Sequence, residues 1–125
     1  DPPKNFPELF IDENKIRQVM MNFIDNAIYY AKPGGGRVTV ELAIVQDQAM
    51  FTVKDNGIGV PSTEKKHLFT KFYRASNART VRPDGTGIGL YMAKRVVDEH
   101  GGKILFESVE DKGSLFGFSL PLRHN

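Results

Sequence analysis

Apolar residues recur along this chain with two periods, and each change of period marks an element. From Glu13 to about Ala31 the positions Ile16, Val19, Met20, Phe23, Ile24, Ala27 and Ala31 fall on one arc at helical spacing, which predicts an amphipathic helix. Asp12 suits its N-cap, and Lys32-Pro33-Gly34-Gly35-Gly36 ends it. The period then drops to two. Val38, Val40, Leu42 and Ile44 alternate with smaller or more polar residues, and a second run from Met50 to Lys54 follows Gln46-Asp47-Gln48, so an antiparallel hairpin is predicted. Helical spacing returns from Thr86 to about His100 through Ile88, Met92, Ala93, Val96 and Val97, with Gly101-Gly102 as a left-handed stop. Two closing strands, Lys103 to Ser108 and Ser114 to Leu120, flank Glu110-Asp111-Lys112-Gly113, and Phe116, Phe118 and Leu120 share one face. A short edge strand is expected at Phe6 to Ile11, because Pro7 is tolerated only at a strand start or edge. Between Asn56 and Asp84 both periods fail. That stretch reads as loop, with a brief helical turn around Glu64 to Phe72.

The chain has 125 residues, 40% hydrophobic and 26% charged, which is enough to bury one core, so a single domain is expected. Its 17 basic against 15 acidic residues leave +2, too even a balance for a nucleic-acid-binding stripe. Without cysteine there is neither a disulfide framework nor a thiolate zinc site, which suits a reducing cytoplasm. No apolar run approaches the roughly 20 residues that span a bilayer, so a soluble domain with no membrane contact of its own is expected. The abrupt start at Asp1-Pro2-Pro3 suggests a piece of a longer protein, such as a membrane-anchored receptor.

Three features carry candidate chemistry. Asn22 and Asn26 stand one turn apart beside the apolar arc of the first helix, with Tyr29 and Tyr30 on the same stripe. They are either solvated surface amides or neutral oxygen ligands for magnesium, a hard cation that keeps several waters and phosphate oxygens. In Phe51-Thr52-Val53-Lys54-Asp55 the two-residue period aims Asp55 at the core, where its carboxylate can accept from the exocyclic amine of adenine. Gly57 and Gly59 then let backbone approach a flat base, although Asn56-Gly57 also suits a plain hairpin turn. Gly85, Gly87 and Gly89 open a helix whose free N–H groups can receive phosphate, or they are simply a flexible helix start. Their spacing is not the dinucleotide fingerprint, and no P-loop occurs. Lys65, Lys66, Lys71, Arg74, Arg79 and Arg82 crowd the intervening loop, as a basic lid over phosphates or as a solvated face. His67, His100 and His124 have no metal spacing and read as non-catalytic, with His100 a packing or dipole-side residue at a helix end.

Taken in order, NFIDNAIYYAK, DNGIG, LFTKFYR, GTGIGLYMAKRVVDEHGG and GSLFGFSLP resemble the catalytic and ATP-binding domain of bacterial sensor histidine kinases, within the group that includes gyrase, heat-shock chaperones and mismatch-repair ATPases. The likeness covers nearly the whole chain. It implies a two-layer α/β sandwich of the Bergerat type, a mixed sheet with helices on one face, and ATP held between the helices and a flexible lid. It further implies that Asn26 binds magnesium with Asn22 nearby, and that Tyr30 packs near the adenine recognised by Asp55. Gly57, Ile58 and Gly59 would shape the base site, and Gly85, Thr86, Gly87, Ile88, Gly89 and Leu90 the phosphate site. Phe69 and Phe72 would anchor the lid, and Arg74 would reach the nucleotide. The ATPases of the group carry a glutamate where Asn22 stands, and a neutral amide is a poor general base, so transfer to an outside nucleophile is favoured over hydrolysis. Kinases of the family usually have a lysine or arginine at the position of Tyr29. None of the three histidines lies in an acceptor pattern such as H-E-[LI]-R-x-P. A histidine-bearing dimerisation domain and a downstream response regulator are therefore the implied partners, with no autophosphorylation by this domain alone. A nucleotide-gated interaction module without transfer, and an ATPase or serine kinase of the same fold, are the alternatives.

Overall fold

The computed structural model describes residues 12–31, 35–70, 73–76 and 89–122. The first described element is helix α1, Glu13–Tyr29. Asp12 caps it as the sequence suggests: its backbone is extended and its side chain accepts from Lys15 N at 3.2 Å. The buried face is Ile16, Val19, Phe23 and Ala27, with Met20 and Ile24 partly buried beside it, which is the arc read from the sequence. α1 stops two residues short of Ala31. Tyr30 leaves helical geometry, and its carbonyl, which has no intrahelical donor at this end, accepts instead from Ile58 N at 3.2 Å.

Strands β1, Val38–Val45, and β2, Gln48–Asp55, form the expected hairpin. Val45 pairs with Gln48, so Gln46 and Asp47 alone make the turn, both at positive φ (49° and 63°), the signature of a tight hairpin whose twist matches its strands. A 3₁₀ turn at Lys65–His67 stands where a helical turn was expected. Helix α2, Gly89–Glu99, and strands β3, Lys103–Val109, and β4, Gly113–Pro121, complete the described elements. The sheet order is β1-β2-β4-β3, every described pair antiparallel, with α1 and α2 packed on one face. The strand expected at 6–11 lies outside the described residues, as do residues 86–88 of the expected second helix and His124. None of the described helices is long and apolar enough to cross a membrane.

The core lies between β2, β4 and the helices. Phe23, Val53 and Val97 are fully buried, and Phe23 packs against Phe116 with ring centroids 5.6 Å apart. Phe69 reaches the same cluster from the loop after β2, edge-on to Phe106 and Phe116 at 5.7 and 6.2 Å. Phe23→Ala is expected to cost about 3–5 kcal/mol, read as a lower urea midpoint with an unchanged slope. β1 departs from its alternating pattern. Register puts Val40, Leu42 and Ile44 beside Val53, Phe51 and Ala49 on the helix-covered face, yet they stay 47%, 57% and 41% exposed. α1 packs mainly on β2 and α2 on β3, and β1, at the opposite edge of the described sheet from β3, is touched by α1 only lightly.

His100 holds the two helices together. Its Nε2 accepts from Asp12 N at 2.9 Å, so the ring hydrogen sits on Nδ1, which donates to Val96 O at 2.7 Å. The expected packing residue is thus a clasp from the last turn of α2 to the cap of α1.

Candidate functional site

Asp55 is the last residue of β2, and its inward position follows from the strand period: Phe51, Val53 and Asp55 alternate as buried residues. Asp55 as a whole residue is 9% exposed. Oδ1 accepts from Gly57 N at 2.8 Å, and Ser114 N–H, across the β2–β4 register, is a second donor to it. Burial pushes this carboxyl above its ordinary value of 3.8, and the two N–H groups partly offset the push. The folded state therefore holds the proton more tightly than the unfolded chain does. The resulting stabilisation is complete below the unfolded value and is lost as pH rises through the raised folded value. In urea unfolding from pH 4 upward, the wild-type domain is expected to lose stability relative to Asp55→Asn. Curves that stay parallel with pH would remove Asp55 as the cause.

The turn after Asp55 is tied down at every step. Asn56 Oδ1 accepts from Arg37 N at 2.8 Å and its Nδ2 donates to Gly35 O at 2.9 Å, holding the segment that follows α1. Ile58 N donates to Tyr30 O, and Ile58 O accepts from Asp111 N at 2.7 Å. A Cβ on Gly57 would run into the Tyr30 carbonyl, and one on Gly59, at φ 66°, into the Val109 carbonyl. Both glycines are thus required by chain packed on chain, whether or not a base lies above them.

On α1, Asn22 and Asn26 are half-buried on one side. A Cβ on Gly89, the first residue of α2, would overlap Asn22 Nδ2, so this amide abuts the start of the second helix. Among the described residues, Asn22 Oδ1 is the buried side-chain polar atom with no hydrogen-bond partner. An orphaned buried acceptor of this kind fits a cation or a donor brought by a ligand. No cluster of three or more His, Cys, Asp or Glu occurs among the described residues. The donor set therefore suits a magnesium ion delivered with phosphates, needing one neutral oxygen, and does not suit an all-protein cage.

Tyr30 is half-buried, its ring 6.0 Å from that of Tyr29, and Arg74 Nη2 donates to its hydroxyl at 3.2 Å. The guanidinium so arrives at the C-terminal end of α1, where Tyr29 is not a cation. Arg74 is positioned by its neighbours: the Glu64 carboxylate accepts from Tyr73 OH at 2.6 Å, Ser76 N at 2.9 Å and Ser76 Oγ at 2.7 Å. Asp55, Gly57, Ile58, Gly59, Tyr30 and Arg74 are thus linked at one end of the sheet, while Asn22, Gly89 and Leu90 mark the helix–helix side. Phe72, Gly85, Thr86, Gly87 and Ile88 lie outside the described residues. Sequence reasoning missed Asn56, Glu64 and Ser108. For Ser108 a signal existed: it continues the inward stripe of Ile104 and Phe106 and faces Ser114, so two hydroxyls interrupt an apolar face.

Residues 11–124 match the family described as histidine kinase-, DNA gyrase B-, and HSP90-like ATPase. The chain is 43% identical over 115 residues to sensor histidine kinase WalK of Bacillus subtilis (strain 168), an alignment covering 90% of this chain and 19% of WalK. Among solved structures, the mycobacterial sensor histidine kinase MprB superposes with a TM-score of 0.81 at 30% identity, covering 94% of this chain and 78% of that one. Full-length ShkA in complex with AMPPNP matches with a TM-score of 0.73 at 29% identity, over 96% of this chain and 24% of ShkA. The chain thus spans about a fifth of the length of WalK.

Proposed function

This chain belongs to the family of histidine kinase-, DNA gyrase B- and HSP90-like ATPases, and on that premise we propose that it binds magnesium-ATP and delivers the γ-phosphoryl to a histidine on a separate dimerisation and acceptor domain, in a cytoplasmic two-component signalling protein with a response regulator downstream. The chain, residues 1–125, is then the catalytic domain alone. The observation that carries the reading is Asn22: a neutral amide, its oxygen buried and unpartnered among the described residues, beside the first residue of α2. A carboxylate at that place could take a proton from water. An amide cannot, so the site stabilises a transferring phosphoryl group without activating water against it.

The proposed roles are these. Asp55 accepts from the adenine amine, with Gly57, Ile58 and Gly59 forming the floor and Tyr30 the wall of the base site. Asn26 offers a neutral oxygen to magnesium, with Asn22 nearby; the ion when bound neutralises phosphate charge. Arg74, held on Tyr30, supplies the cation that Tyr29 does not. Gly89 and Leu90, with residues 85–88, receive the phosphates at the start of α2. Binding of AMPPNP by ShkA, whose bridging nitrogen resists cleavage where ATP has oxygen, supports a nucleotide of this shape.

One experiment separates this reading from its rivals. Radiolabelled ATP is supplied to the domain with and without a histidine-bearing helix pair from its own receptor. Acid-labile label on that histidine, absent without the helix pair, is the expected result. Steady phosphate release by the domain alone would favour an ATPase, acid-stable label a serine kinase, and ATP binding without transfer an interaction module. That last reading draws on Tyr29, which is 51% exposed.

A further inference from the structure

Four polar or charged residues are buried among the described ones, and three of them, Asp55, Ser108 and Ser114, form one cluster at the end of the sheet that carries the glycine turn. Ser108 is its hub. Its Oγ accepts from Val60 N at 2.8 Å, lies 2.8 Å from Ser114 Oγ, and donates within 3.1 Å to Gly113 O or else to Ser114. One hydroxyl on β3 thus holds the exit of the turn that begins at Asp55, and also the side chain of the residue whose N–H donates to the Asp55 carboxylate.

Hydrogen counting makes this more than packing. Two hydroxyl hydrogens serve three acceptors: Ser108 Oγ, Ser114 Oγ and Gly113 O. If Ser108 donates to Gly113, Ser114 spends its hydrogen on Ser108 and presents only lone pairs elsewhere. If Ser108 donates to Ser114, the Ser114 hydrogen is released. With Ser108 replaced by alanine, Val60 N loses its acceptor and Ser114 its partner, so the turn and the strand on either side of Asp55 lose their common tie.

We infer that Ser108 is a positioning residue for the base site: through Val60 and Ser114 it sets the Asp55 carboxylate and the Gly57 N–H in the arrangement that reads adenine. This rests on the nucleotide reading above, and it adds a residue that touches no nucleotide. A base presenting an amine donor fits a carboxylate acceptor; guanine presents a carbonyl oxygen there and is repelled. Loosening the cluster is therefore expected to erode discrimination as well as affinity.

The test is calorimetric titration of the 125-residue domain with magnesium-ATP and magnesium-GTP, together with amide hydrogen exchange without nucleotide. Ser108→Ala is expected to fold, because a cavity of about 240 Å³ lined by Val60, Ser62, Lys65, Ser108, Val109 and Glu110 lets water reach the bared Val60 N–H. It should bind ATP about tenfold more weakly, the effect of one lost hydrogen bond, narrow the ATP-to-GTP preference, and speed exchange at Gly57 and Ser114 more than at core amides. Ser108→Thr, which keeps the hydroxyl, should restore all three. A folded Ser108→Ala domain with wild-type affinity, preference and Gly57 exchange overturns the inference and leaves the nucleotide reading standing. A wild-type domain that binds no ATP overturns the nucleotide reading, and Ser108 falls as a base-site residue with it.

Discussion

Asp55→Asn is expected to weaken magnesium-ATP binding by about 10- to 100-fold at neutral pH, with a gain for GTP, in calorimetric titrations at fixed salt. A hydrogen bond to a charged acceptor contributes about 1.5–3 kcal/mol, and each 1.4 kcal/mol is a factor of ten. The substitution does more than remove charge. An amide has one acceptor oxygen where the carboxylate has two, and Gly57 N–H and Ser114 N–H both already donate to this group. If the oxygen stays with them, the NH₂ faces the adenine amine and donor meets donor. Wild-type affinity should also rise with pH through the raised carboxyl value, because the ionised form is the better acceptor, and the variant should lack that rise. Equal ATP affinities for the two proteins would remove Asp55 from base recognition.

The second large effect is on stability. Gly57→Ala is expected to destabilise the domain by about 2–3 kcal/mol, at the upper part of the usual range for overpacking. Its Cβ would meet the Tyr30 carbonyl, which is backbone and cannot swing aside, and relief requires breaking the Ile58 N to Tyr30 O bond that joins the glycine turn to the end of α1. Two other glycines calibrate the measurement. Gly101, at φ 73° with only Pro121 Cγ near at 3.8 Å, should cost roughly 1 kcal/mol as alanine through backbone strain alone. Gly35, with nothing within 4 Å, should change stability by less than about 1 kcal/mol. Chemical denaturation of the three variants should rank them Gly57, Gly101, Gly35. A Gly57→Ala domain as stable as the wild type would show that the turn is not clamped on α1.

Much of this protein was determined by local pattern. The 3.6-residue period of α1 and the two-residue period of β2 specify which faces are buried, and these place Asp55 inward and Asn22 and Asn26 on one side of a helix before any tertiary contact is known, whereas β4 is buried on both faces from Phe116 to Leu120. The ordered glycine and asparagine motifs pointed to the family for the same reason: each is a short string with its own local geometry. Tertiary structure decided what those strings are fastened to. Ser108 meets Val60 across 48 residues and His100 meets Asp12 across 88, contacts that depend on how sheet and helices stack. The same dependence explains why Gly57 and Gly59 answer to the carbonyls of Tyr30 and Val109, and why the alternating apolar residues of β1 remain exposed while those of β2 are buried. A period states which way a side chain points along its own element. Only the packing of elements decides whether anything, a carbonyl, a helix or a hydroxyl, stands there to meet it.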